Sequence, residues 1–380
     1  MLIQIHMLQN YAPANLNRDD TGSPKEAIFG GFRRGRISSQ CLKRSIRRSE
    51  AFSKTFKDNG QLGVRTRLLP YMVAEALEQM GVEREVRKAI LARVPEIGRE
   101  SGKGKAEENE GGEENDKPSH EAETGTKQLI FIDRAEVRPL AEKLVETYNQ
   151  IGAKKWATEK MKDITKYLSA SLPRSVDIAM FGRMTTSDAF ENVHAAVQVA
   201  HPISTNALTQ EFDYYTAVDD LSGESGAGMI GEVEYNSSTY YKYLNVHWEE
   251  LVKNLGGDRE TACRGILALL EAAATAHPSG KQNSFAAFNL PDLVLVEVSP
   301  SNLPVSYANA FIKPARASSS ASLVEESAQK LADYISQVDK TFEPRVKRAF
   351  ISMLDCIFPA EGQGSLGGLQ RWLEAQLPEG

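Results

Sequence analysis

The chain has 380 residues, 41% of them hydrophobic and 25% charged, with a net charge of −6, the balance of a soluble globular protein with room for one large domain or two smaller ones. No apolar run approaches the ~18 residues that a membrane span needs, and three widely spaced cysteines, Cys41, Cys263 and Cys356, exclude a disulfide framework and a CxxC zinc site and point to a reducing cytoplasm. Charge is unevenly spread: residues 100–124 hold nine acidic and three basic residues, whereas residues 17–48 hold nine basic and three acidic, a local cationic patch of the kind that binds phosphate.

The opening MLIQIHMLQN lacks a basic leader region and a small-residue cleavage site, and its alternation over 2–9 predicts a strand. Residues 10–36, rich in Asn, Pro, Asp and Gly, read as a long functional loop. A helix is expected from about Ser39, capped by Ser38 or Ser39. Leu42 and Ile46 lie at burial spacing, and the i,i+4 pairs Lys43/Arg47 and Arg44/Arg48 build a basic face beside them. Residues 65–94 predict two helices broken near Gly81. The acidic stretch 100–124 has too few apolar residues to offset its ordering entropy, and a disordered loop is expected. A short extended piece follows at 128–132. Asp133 is expected to cap a helix to about Tyr148, and Thr158 another to about Ser169. Strands are predicted at 175–181, 238–247 and 292–298, with mixed short extended pieces over 193–235. Helices are predicted at 258–276, 323–339 and 366–376.

The strong elements run strand, helix, strand, strand, helix, strand. This predicts an α+β chain with the βαββαβ ferredoxin-like order used by RNA-recognition modules. Two insertions interrupt it, at about 53–173 and 185–236.

The richest chemistry lies in NRDDTGSPKEAIFGGFRRGRISSQCLKRSIRR, residues 17–48. Arg and Lys match phosphate by charge, and Arg can fork two N–H bonds onto it. Gly30 and Gly31 let backbone come close to a ligand. The helix start at Ser38–Ser39 offers free N–H groups to an anion. Together these features predict one phosphate-binding surface; the bland alternative is a solvated charged face.

The string LNRDDTGSPKEAIFGG–RR–RISSQCLKR, with DIAMFGRMTTS at 177–187, YYTAVDDL at 214–221, FAAFN at 285–289 and YANAF at 307–311, resembles the CasC family, the backbone subunit of the type I-E CRISPR effector Cascade. The resemblance implies a hand-shaped subunit. An RRM-like palm would comprise 1–52, 174–184 and 237–380, helical fingers 53–173, and an extended hairpin thumb 185–236. It implies no cofactor and no catalysis. Copies would line up along a CRISPR RNA, grip its backbone, flip a base out at each kink and leave the rest free to pair with a target DNA strand. The implied partners are the RNA, further copies of the chain, and the cap, large, small and repeat-processing subunits, with no membrane. Asn17, Arg18, Lys25, Ser38, Gln40, Lys43 and Arg47 match backbone-contacting positions, and Arg44 joins them on the basic face. Met184 matches a methionine that wedges beside the kink, and Tyr214 and Tyr215 match aromatic thumb positions. Without the resemblance, Met184 would read as core and the tyrosines as packing. Lys154, Lys155, Lys160, Lys162 and Lys166 fall where finger lysines line a path for DNA; otherwise they are solvated helix lysines. The acidic 100–124 stretch looks like an insertion relative to the family. The aromatic signature of ordinary RNA-recognition modules is absent, so backbone gripping is expected in place of sheet-face stacking.

RNA cleavage needs a general base or a metal site. The six histidines form no HxH or HxxxH pair, and His194 and His201 read as structural. Asp19–Asp20 and Asp219–Asp220 suggest either Mg²⁺ ligands or turn caps. No phosphate-binding GxxxxGK[ST] loop and no GxSxG elbow is present. A non-catalytic scaffold is therefore expected, with an RNA-processing endoribonuclease as the alternative and a lone single-strand RNA binder as a third possibility.

Overall fold

The computed structural model describes residues 1–56, 62–97, 125–126, 128–165, 175–185, 187, 189–218, 227–355 and 358–378. The expected acidic loop at 100–124, Lys166 and Asp219–Asp220 lie outside these residues.

In chain order, β1 (Leu2–Ala14) is followed by the hairpin β2 (Glu26–Phe29) and β3 (Phe32–Gly35), then α1 (Ser39–Arg47) and α2 (Glu50–Phe56). The short strands β4 (Val64–Thr66) and β5 (Ile130–Ile132) pair with each other and flank α3 (Leu69–Gln79) and α4 (Arg84–Leu91). Next come α5 (Arg134–Thr158), α6 (Met161–Thr165) and α7 (Val176–Phe181). β6 (Val197–Val199), β7 (Ile203–Ser204), β8 (Glu211–Val218) and β9 (Ala227–His247) lead into α8 (Trp248–Asn254) and α9 (Arg259–Thr275). The chain closes with α10 (Gln282–Phe285), β10 (Leu293–Ser299), α11 (Leu323–Phe342), β11 (Lys347–Ser352), β12 (Glu361–Gly362) and α12 (Leu366–Glu374).

The chain divides into two compact units. The first holds Met1–Phe52, Gln198–Trp248 and Ile266–Glu379. It is built on a sheet of order β12-β11-β10-β1-β9-β6. β1 is central and buried on both faces, its polar Gln4, His6 and Gln9 included; it pairs antiparallel with β9 and with β10, both Leu/Val/Tyr-rich. One face of the sheet (Leu8, Tyr241, Tyr243, Leu293, Leu295) packs under Leu331 and Ile335 of α11 and under Tyr307 and Phe311. α11 can lie there because its apolar residues recur at helical spacing and Ser322 and Glu325 form a reciprocal cap at its start.

The second unit holds Ser53–Val197 and Glu249–Gly265. Its core joins α3, α4 and α5 through Leu69, Leu77, Ile90, Leu140 and Trp156. Asp133 caps α5 through Ala135 N–H at 2.9 Å, and Glu136 reaches back to close the capping box. Gly81, at φ 69°, ends α3 as expected.

Three expectations are corrected. The loop expected over 10–36 carries three stretches of strand: β1 runs on to Ala14, and β2 and β3 form a β-hairpin whose two-residue turn is Gly30–Gly31 (φ 60° and 82°), because two consecutive positive φ angles suit the twist of paired strands. The strand expected at 175–181 is a helix. Its run is buried on all sides, which erases the period that separates the two conformations, and the Asp177 carboxylate accepts the N–H of Gly63 at 2.8 Å and of Ile178 at 3.1 Å. These residues cluster with the second unit, while the hairpin strands β8 and β9 cluster with the first. The strand beside β9 is instead Val197–Val199. Finally, Thr158 ends α5, with its hydroxyl bonded to the Lys154 carbonyl at 3.1 Å, and does not start a new helix.

Candidate nucleic-acid interface

Where β1 ends, the buried amide of Asn15 donates to the carbonyls of Gly22 (3.0 Å) and Glu234 (2.9 Å), so the loop that follows is shaped from inside. Asp19 forms its tip. Its carboxylate accepts from Thr21 N (2.9 Å), Thr21 Oγ1 (2.7 Å) and Ser23 N (3.0 Å). Slight burial pushes this carboxyl up, but those donors outweigh it and hold it below its ordinary value. Asp19 is thus a turn organiser, and among the described residues no group of three His, Cys, Asp or Glu is placed to hold a metal ion.

A bond from Ser38 N to Asn17 Oδ1, 2.8 Å long, ties the loop to the first helix. Ser38 is the helix N-cap: its hydroxyl accepts from Cys41 N at 3.2 Å, which places this expected RNA contact in the cap itself. Leu42 and Ile46 bury one stripe of α1. Gln40 and Arg44 are exposed, and Lys43 and Arg47 are half-buried beside them. Lys25 and Arg18 lie half-buried on the loop, where Lys25 accepts the Arg36 N–H on its carbonyl at 2.8 Å.

The electrostatics show that these cations converge. His201 sits against Arg36, with Nδ1 3.1 Å from Nη1. Burial lowers the affinity of its ring for a proton, and the charges of Arg36, Lys25 and Lys43 lower it further. Burial likewise pushes the Cys41 thiol up, while Arg44 and Lys25 pull it down. Loop, strand end and helix, separate in sequence, therefore share one positive field. Arg36 and His201 are additions to the expected site. Arg36 lies inside the basic run, but nothing local singles out its position, and His201 carries no sequence signal.

Two cations of the run are committed elsewhere. Arg34 is fully buried and donates to the carbonyls of Ser204 (3.0 Å), Thr205 (2.7 Å) and Phe311 (2.5 Å), bolting the β2–β3 hairpin to the sheet. Arg33 pairs with Glu26 at 2.9 Å.

Met184 is 90% exposed. Its neighbour Arg183 is buried, bound to both Glu136 oxygens at 2.7 and 2.9 Å, and its backbone pairs both ways with Val193. A flexible apolar side chain is thus presented to solvent from a rigid base. Tyr214 and Tyr215, 65% and 40% exposed, stand on the β8–β9 hairpin with Phe212 and Ile230 also exposed. Lys154, Lys155, Lys160 and Lys162 are all exposed, Lys155 lying 3.8 Å from Glu159. Met184 and these lysines belong to the second unit; Tyr214, Tyr215 and the basic surface belong to the first.

Comparison with solved structures finds the same fold in a chain described as "CRISPR RNA-guided surveillance complex, pre-nicking", at 29% identity and a TM-score of 0.79 over 100% of both chains. A second chain, described as "CRISPR RNA-guided surveillance complex", shares the fold at 23% identity and a TM-score of 0.61 over 99% of both. No curated protein matches the chain. The model of the CT1975-like protein family matches residues 3–375, nearly the whole length. The chain is a member of the CT1975-like protein family, with the α+β fold of a CRISPR surveillance-complex subunit.

Proposed function

We propose that the chain is a non-catalytic RNA-binding scaffold of a Cascade-type CRISPR effector, of the CasC-like, type I-E kind. Copies line up along a guide RNA, hold its sugar-phosphate backbone, kink it at intervals and leave its bases free to pair with target DNA. The observation that carries this reading is one basic surface, in which Arg36 lies 3.1 Å from His201 and its N–H is held by the Lys25 carbonyl at 2.8 Å, beside Lys43 of α1. Such a surface binds phosphate without reading sequence, which is what a subunit that serves any guide requires.

In this reading Asn17, Arg18, Lys25, Gln40, Lys43, Arg44 and Arg47 hold the backbone, and Ser38 positions the first turn of α1. Met184 is the wedge, and Tyr214 and Tyr215 offer rings to bases. The palm is RRM-like, which the order β10-β1-β9-β6, with α1 and α9 as its crossover helices, supports. The β8–β9 hairpin serves as thumb and the second unit supplies the fingers, whose exposed lysines face target DNA. Cap, large, small and repeat-processing subunits complete the assembly.

The test combines purified protein with labelled single-stranded RNAs of increasing length, followed by mobility shift and sedimentation. Complexes that grow stepwise with RNA length, with the RNA intact, are expected. Cleavage of repeat RNA would replace the scaffold by an endoribonuclease. One bound copy at every length would leave a lone RNA binder.

A further inference from the structure

The segment from His277 to Asn289 follows α9 and contains FAAFN, a motif that the basic surface described above does not use. Its backbone is unusual. Lys281 (φ 50°, ψ 23°) and Ala286 (φ 48°, ψ 38°) both lie in the left-handed region and bracket α10. Residues with a Cβ enter this region at a cost, so the surroundings must enforce it, and such strain gathers at ligand clamps.

The enforcing contacts are visible. The Gln282 amide donates to the carbonyls of Pro278 (3.0 Å) and Ala287 (3.2 Å), closing the segment on itself. The Phe285 ring lies 5.5 Å from that of Tyr235 at the foot of the β8–β9 hairpin, and His277 Nδ1 lies 3.3 Å from the hydroxyl of Tyr11. Gly280 is pressed onto the Asn15–Leu16 backbone so closely that a Cβ there would stand 2.7 Å from the Asn15 oxygen. One residue past this contact lie Lys281 on one side and Asn17 on the other. Residues 276–291 contain no Asp or Glu, and Lys281 is their one Lys or Arg. Ser279, Asn283 and Ser284 beside it are exposed.

We infer that Lys281 is a further phosphate contact of the RNA-binding surface, held at its edge by this strained loop. The inference rests on the RNA-binding reading above. It is tested with K281N, K281G and K281R, by fluorescence anisotropy on a labelled single-stranded RNA of mixed sequence across a salt series, with thermal melting alongside. Asn and Gly tolerate the left-handed region best, so K281N and K281G are expected to melt no lower than the parent chain. Both should nevertheless bind RNA several-fold more weakly, with a salt slope shallower by ~0.7, the value of one single-strand phosphate contact. K281R should keep the parent slope. Parent-like binding and slope in K281N and K281G, beside a parent chain that binds normally, would overturn this inference alone. A parent chain that binds no RNA would overturn the scaffold reading and this inference with it.

Discussion

Asn17 Oδ1 accepts the backbone N–H of Ser38 at 2.8 Å, and this bond ties the loop after β1 to the cap of the first helix. Asn17→Ala removes it and leaves the Ser38 N–H without that acceptor. A loss of ~1–2 kcal/mol is expected, read as a lower melting temperature. RNA binding should weaken for every sequence tested. Asn17→Asp restores the acceptor and should recover the melting temperature, while its added negative charge keeps binding weak.

Lys43→Ala and Arg47→Ala should weaken RNA binding equally across guide sequences. If about five phosphates are held per copy, the parent salt slope should lie near ~−3.5, and each substitution should make it shallower by ~0.7. Loss confined to particular bases, in competition assays with homopolymers, would contradict backbone recognition.

Met184 is exposed and contributes nothing to a core, so Met184→Ala should leave the melting temperature within ~0.5 kcal/mol of the parent's equivalent stability. Its expected effect is on RNA shape. A fluorescent adenine analogue in the guide should brighten where the parent chain unstacks it and stay dim with Met184→Ala.

Lys242 gives the chain a pH dependence of known sign. It is fully buried on β9, and its hydrogen bond is a long one, 3.5 Å to the Ala273 carbonyl. Burial pushes its amine down from its ordinary 10.5 to about 7. Above pH 7 the folded chain holds a neutral amine while the unfolded chain still binds the proton, so stability should rise with pH from about 7 to 9. Past that range, the half-buried Cys41 thiol and the buried Tyr240 phenol, both pushed up by desolvation, reverse the trend. Lys242→Met should flatten the rise, measured as melting temperature against pH.

Much of this was legible in sequence where a local rule acted alone. The Ser38–Ser39 start with the Leu42–Ile46 stripe gave α1, and Asp133 gave the start of α5. The failures share a physical cause. Gly30–Gly31 suits a close ligand approach and a hairpin turn equally well, and only pairing of Phe29 with Phe32 decides between them. Residues 175–180 are buried on every side, Asp177 included, so no period marks them as helix. Arg34 and Arg36 look alike in the basic run, yet long-range carbonyls claim the first and leave the second at the surface. His201 and Lys281 join the site only through tertiary approach.

The helix α11 rests on one face of the sheet, which in the RRM-like reading proposed above is the face an ordinary RNA-recognition module offers to nucleobases. The polypeptide is its own permanent tenant there. On the scaffold reading proposed above, a guide strand would then be held along its edge, by chemistry common to every nucleotide. A host that acquires a new spacer would then need no matching change in this subunit: immunological memory can be rewritten in nucleic acid while the protein that carries it stays constant.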